Sequence, residues 1–228
     1  MKKMTFLLII LFLSSAVLGE YLQWDPNGEG IVAATASSYY TDGLYGYELL
    51  AEYTVDGSGM RDDNTTHSRV WGNYHWVADS YDNTCWIQYE FDKSYELGVM
   101  YVWNYNHSYP SDELDRGMRK VRITYSEDGS NFTELGVYEF AKATGANFYA
   151  HNTEIDFGGI SAKYVKLAVV YESQNPQHNW GDPELTGLSE VRFNLPMPEA
   201  NADVLIGIRG VDGDIYDGWR LYDYDGNM

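Results

Sequence analysis

One cysteine, Cys85, stands in a chain of 228 residues. No disulfide can form within the chain, so packing must hold it together, with a bound metal as the other available brace. Cys85 precedes Trp86 at the start of an apolar alternating run, a setting that suits a small buried hydrophobe better than a nucleophile. Basic residues are scarce too: 15 against 34 acidic ones, for a net charge of −19 at pH 7. Such a surface repels nucleic acid and anionic membranes and makes both poor partners, while it favours solubility and cation binding. Sustained 3.6-residue apolar periodicity is missing beyond residue 19, so helices are not expected.

Several chemical signatures are also lacking. His75, His107 and His178 lie in different loops without zinc-ligand spacing. Asp212, Asp214, Asp217, Asp223 and Asp225 do not follow the order of a helix-loop-helix calcium site. Carboxylates occur close together, as in Asp112, Glu113 and Asp115 or Asp182 and Glu184, but nothing singles out a pair for glycan cleavage. A nucleophile with a matching base is not evident either, so binding is expected rather than catalysis.

The one long apolar run, Phe6 to Leu13, follows Lys2 and Lys3 and precedes Ser14 to Gly19. A positive start, a short apolar stretch and small residues at its end read as a signal peptide over residues 1–19 and so as a secreted protein. The run is shorter than the roughly 20 residues of a spanning helix, so membrane insertion is not expected. Without Lys2 and Lys3, 13 basic residues face the 34 acidic ones.

After the leader come short runs rich in Val, Ile, Tyr, Trp and Thr, separated by Gly, Asp, Asn and Ser. Strands are expected at Ile31–Tyr40, Trp86–Phe91, Val99–Asn104, Val121–Tyr125, Phe132–Val137, Tyr164–Tyr171 and Leu188–Phe193. Ile87, Tyr89 and Phe91 share one face and Gln88 and Glu90 the other, while Asp128-Gly129 supplies a hairpin turn. This spacing points to an all-β, antiparallel sandwich over residues 20–193. Residues 194–203 read as a proline-bearing linker, and 204–228 as a tail or the start of a further domain. Glu190 sits among apolar residues of the closing strand, a costly position that a cation would relieve.

Five segments in order carry a resemblance: Ala36-Ser37-Ser38, Thr54-Val55-Asp56-Gly57, Trp86 to Phe91, Tyr125 to Phe132, and Gly187 to Phe193. Together they resemble the discoidin family, also called the coagulation factor V/VIII type C domain, over about Ile31 to Phe193. The resemblance implies a galactose-binding-like jelly-roll β-sandwich. Without the disulfide usual in animal members, the chain looks like the bacterial branch, whose members are carbohydrate-binding modules appended to secreted enzymes. The implied partner is a glycan or polysaccharide; the alternatives are a protein-binding cell-surface adhesion domain and a glycan-cleaving enzyme. A structural Ca²⁺ is implied at Asp56 and Glu190, with Tyr53 and Ser58 placed to add backbone oxygens. For sugar, aromatic planes and fixed polar groups in end loops are needed. Trp71, His75 and Trp76, the Asn104 to His107 segment, Arg116, and Gln177 to Trp180 are the loop residues on offer. Asn106, Arg116 and Trp180 match positions that relatives use, and Trp76, His107 and His178 complete the expected binding set.

Overall fold

The computed structural model describes residues 21–44, 46–62, 64–109, 113–171 and 178–196. The expected signal peptide and the 204–228 segment lie outside them, as does most of the expected linker. Nine strands occur among the described residues: β1 (Ile31–Ala36), β2 (Thr66–His67), β3 (Trp76–Val77), β4 (Trp86–Asn104), β5 (Lys120–Ser126), β6 (Thr133–Glu139), β7 (Tyr149–Ala150), β8 (Thr153–Val169) and β9 (Gly187–Phe193). Two single 3-10 turns, Ala51–Thr54 and Leu114–Arg116, are the helical elements. The strands pair antiparallel in the order β3-β9-β4-β8-β5-β6, β1 adds to β4, and β2 and β7 form a separate ribbon.

β4 makes this a sandwich. Trp86–Phe91 and Val99–Asn104, expected as separate strands, are two limbs of one 19-residue strand. The register against β8 shifts between Glu90 and Tyr95 and again between Leu97 and Val99, which bends the strand without ending it. Asp92 pins the bend, since its carboxylate accepts hydrogen bonds from the Gly30 amide at 2.8 Å and the Tyr95 hydroxyl at 2.7 Å. β8 bends opposite, at Gly158 and Gly159, whose φ values of +62° and +78° favour glycine. The first limb of β4 pairs with β1 and the second with β9, so one strand serves both layers.

The core forms where the layers meet. Ile87, Tyr89 and Phe91 are buried as the alternation predicts, and so are Val165, Leu167 and Val169. Phe193 of β9 packs edge-on against Tyr89 at 5.4 Å and Phe91 at 5.3 Å, with Phe157 at 6.3 Å. All of β9 is buried, with β3 and β4 flanking it in the sheet. The β5–β6 hairpin turns as expected, with Gly129 at φ +72° and the Asp128 carboxylate accepting the amides of Ser130 and Asn131. Cys85 is fully buried, and burial pushes its thiol up, away from the reactive thiolate.

Cutting Phe193 to alanine is expected to cost about 3–5 kcal/mol of stability, read by urea denaturation. Val137→Ala, at an exposed position, should stay within about 0.5 kcal/mol. Equal losses would contradict the inter-layer role of Phe193.

Candidate functional site

Loops gather near the second limb of β4 and the start of β9. Gly187 lets them close up: a Cβ there would lie 2.7 Å from the Tyr105 ring and 2.8 Å from the Trp76 carbonyl. The 40–49 excursion is held against β3, with the Tyr40 amide on the Val77 carbonyl at 2.8 Å and the Leu49 amide on the Tyr40 carbonyl at 3.0 Å. Between these segments opens a cavity of about 450 Å³. Tyr40, Tyr47, Trp71, Tyr109, Val70 and Leu185 give it aromatic and apolar walls, and Asp42, His107, Glu113 and Arg116 add the polar groups.

The polar groups are held in fixed places. The Trp71 indole N–H donates to Asp42 Oδ2 at 3.2 Å, and the Trp71 ring lies 4.9 Å from His107. The His107 ring is braced on both nitrogens, by the Glu113 carboxylate at 2.9 Å and the Tyr109 carbonyl at 2.7 Å. Arg116 pairs through Nη1 with Glu113 and through Nε with Asp182 at 3.2 Å. A rigid aromatic wall beside fixed hydrogen-bonding groups suits a ligand with an apolar face and hydroxyl edges.

His107 and Arg116 of the expected binding set line this cavity. His178 lines a second one, of about 350 Å³. Two of the expected binding residues, Trp76 and Asn106, are buried out of a ligand's reach. Trp76 is 0% exposed, in the core, with its indole N–H on the Ser38 carbonyl at 3.0 Å, so no ring face is left for a ligand. Asn106 is equally buried and clamps loops together: its amide donates to the Ser68 and Ala146 carbonyls and accepts the Gly145 N–H. Trp180, half-buried, lies outside both of these cavities, with its indole N–H on the Phe140 carbonyl at 3.2 Å and the Arg119 guanidinium 4.4 Å over its ring. Gln177 lies outside the described residues. Tyr40, Asp42, Tyr47, Tyr109 and Glu113 were missed; the tyrosine-rich run from Tyr39 to Tyr47 was the one available signal.

Asp56 and Glu190 come together in a third, small cavity of about 120 Å³. Neither Tyr53 nor Ser58 lines it, although Ser58 adjoins Asp56, donating its amide to Asp56 Oδ1 at 2.8 Å. Glu190 is 1% exposed, and its Oε2 has no hydrogen-bond partner. The Gly57 backbone and Arg192 adjoin the carboxylate; Arg192 Nε lies 3.6 Å from Oε1, too far for a hydrogen bond, while its terminal nitrogens are spent on Asn64. Burial pushes the Glu190 carboxyl up to about 8; Asp56 adds to the rise and Arg192 works against it. Burial also raises Asp56. One buried and one partly buried carboxyl, with an orphan oxygen on Glu190, fit a hard divalent cation, provided backbone carbonyls complete the shell. Among the described residues no group of three His, Cys, Asp or Glu side chains could hold a metal.

The model of the F5/8 type C domain matches residues 33–183. This chain belongs to that family. No curated relative matches it. Solved structures similar to this F5/8 type C domain include a pectin-binding carbohydrate-binding module, 20% identical, with 75% of this chain and 94% of that one covered and a TM-score of 0.46. Another is the CpGH89CBM32-5 module from Clostridium perfringens in complex with GalNAc-β-1,3-galactose, 20% identical over 71% and 94% of the two chains, TM-score 0.47. A third is the CBM32 of AlyQ in complex with 4,5-unsaturated mannuronic acid, 20% identical over 72% and 95%, TM-score 0.43. At this level of likeness their ligands do not carry over to this domain.

For the domain without metal, the raised Glu190 carboxyl sets a pH dependence. Its ordinary value is 4.5 and its folded value about 8, so its contribution to stability is fully present below pH 4.5 and is lost as pH rises through 8. In chelator, the melting temperature of wild type relative to Glu190→Gln should therefore fall between pH 5 and pH 8. Parallel curves for the two proteins would show that Glu190 is not held neutral.

Proposed function

We propose that this F5/8 type C domain is a secreted, non-catalytic glycan-binding module whose ligand occupies the aromatic cavity around Trp71. One observation carries the reading: Trp71 is fixed by Asp42 and His107 beside three tyrosines, with carboxylates and an arginine placed around them. Sugars present alternating C–H faces and hydroxyl edges, and this wall offers a partner to each. Glu113 and Asp42 are occupied in holding Arg116, His107 and Trp71, which is a positioning duty and gives no acid–base pair across a cleft. Export is supported by the leader-like residues 1–19. No helix among the described residues is long and apolar enough to cross a membrane. Further domains attached to this one would raise a weak single-site affinity through multivalency.

A calcium ion belongs to the proposal as a structural brace. Asp56 and Glu190 would supply carboxylate oxygens, and backbone carbonyls of the lining Val55, Asp56 and Gly57, between the expected Tyr53 and Ser58, further ones, tying the loop after β1 to β9. Calcium at a hundredfold excess over its dissociation constant should stabilise by about 2.7 kcal/mol, hence raise the melting temperature by about 5–10 °C, at neutral pH. Glu190→Gln should lose most of that gain. An equal gain in both proteins would place calcium elsewhere.

The function is tested on a glycan array in calcium with wild type, Trp71→Ala and Trp180→Ala. Wild type and Trp180→Ala should bind the same glycans, while Trp71→Ala weakens binding about tenfold or more. Loss in Trp180→Ala with retention in Trp71→Ala would reverse the assignment. Absence of binding by folded wild type would refute the glycan reading.

A further inference from the structure

The second cavity lies on the far side of one ion pair. Arg116 lines the first cavity, and the Asp182 carboxylate that accepts its Nε lines the second. Asp182 is itself fixed, since its Oδ1 caps the amides of Glu184 and Leu185. The Arg116–Asp182 pair, itself fixed on both sides, therefore links the linings of the two cavities.

Two tyrosines frame this second space. Tyr171 lies 5.6 Å from the His178 ring and is 40% exposed. Tyr81 is 69% exposed and has φ +65°, a conformation that costs a non-glycine residue about 1–3 kcal/mol unless its surroundings impose it. Glu184 imposes it twice, by accepting the Tyr81 amide on its carbonyl at 2.7 Å and the Tyr81 hydroxyl on its carboxylate at 3.0 Å. An aromatic ring held out to solvent in a strained conformation, at the lip of a cavity, gains nothing for packing. It is suited to present a face to a ligand.

Charge narrows the ligand. Among the lining residues of both cavities the carboxylates of Asp42, Glu113, Asp182 and Glu184 stand against one guanidinium, Arg116, which is already paired with two of them. The nearby Arg69 guanidinium stacks 5.5 Å over the Tyr109 ring. A uronate or sialate would meet an excess of like charge along these linings, whereas hydroxyls can donate to the carboxylates. We propose that the second cavity is a second sugar subsite, so that the domain takes an uncharged glycan chain lying across the Arg116–Asp182 pair. This rests on the glycan reading of the first cavity.

The test is calorimetric titration with length ladders of neutral galactan, mannan, xylan and chitin oligosaccharides, with oligogalacturonates beside them. Wild type should bind longer members of a neutral ladder about tenfold more tightly than the shortest member it binds. Tyr81→Ala and Tyr171→Ala should each erase that gain while leaving the shortest member's affinity unchanged; Trp71→Ala should weaken every member. Affinity that does not depend on length, or a length gain that survives both tyrosine variants, overturns the second subsite and leaves the first intact. Oligogalacturonates bound as tightly as the neutral ladders overturn the choice of uncharged glycans. Failure to bind any ladder refutes the glycan reading itself.

Discussion

Everything in this domain hangs on one strand that belongs to two layers. β4 pairs with β1 along its first limb and with β9 along its second, and β8 follows it through both. Because the strand bends instead of breaking, the two sheets cannot slide apart, and Phe193 packs between Tyr89, Phe91 and Phe157 as a consequence. In a chain without a disulfide this continuity takes over the bracing. It also sets where the loops emerge. The far end of β4 runs into Tyr105 to Tyr109, next to the start of β9, and the cavity walls grow from that junction.

The acidity of the chain acquires meaning locally. A net charge of −19 says little about any one site. Near the first cavity, however, the acids hold the others in position: Asp42 orients Trp71, Glu113 braces His107, and Glu113 and Asp182 together fix Arg116. Preorganisation of this kind lowers the ordering cost of binding, which matters most for a hydrophilic, weakly held ligand such as the proposed glycan. Glu190 is a different case. It sits in a desolvated place beside Asp56, and its unpartnered oxygen marks a requirement for a proton or a cation.

Much of the fold could be read along the chain, because a buried face writes itself as alternation. Ile87, Tyr89 and Phe91 are inward as their pattern demands, and so are Val165, Leu167 and Val169. What alternation could not reveal is length. The gap between the expected Trp86–Phe91 and Val99–Asn104 runs, and the stretch before the expected Tyr164–Tyr171 run, both belong to long strands, bent at Asp92 to Glu96 and at Gly158-Gly159 and kept in the sheet by partners far away in the chain. The site was legible only in part, for a similar reason. Nothing near Trp76 distinguishes a core indole from a binding face; its burial under Ser38 depends on a contact 38 residues away. Trp180 has loop residues on both sides and still lies under Arg119. Tyr40 and Tyr47 reach the cavity because their excursion is pinned to β3, and this pairing has no local signature.

Ligand contact at the Trp71 wall can be read at the indole itself. Its most direct measurement follows the indole N–H resonances of the ¹⁵N-labelled domain while a neutral oligosaccharide positive on the array is titrated in. The Trp71 signal, from an N–H bonded to Asp42 beside the cavity, should shift with the binding curve, while those of Trp76 and Trp180 hold still. A saturable shift of the Trp180 signal with an unmoved Trp71 would contradict the account and return the ligand to the last loop.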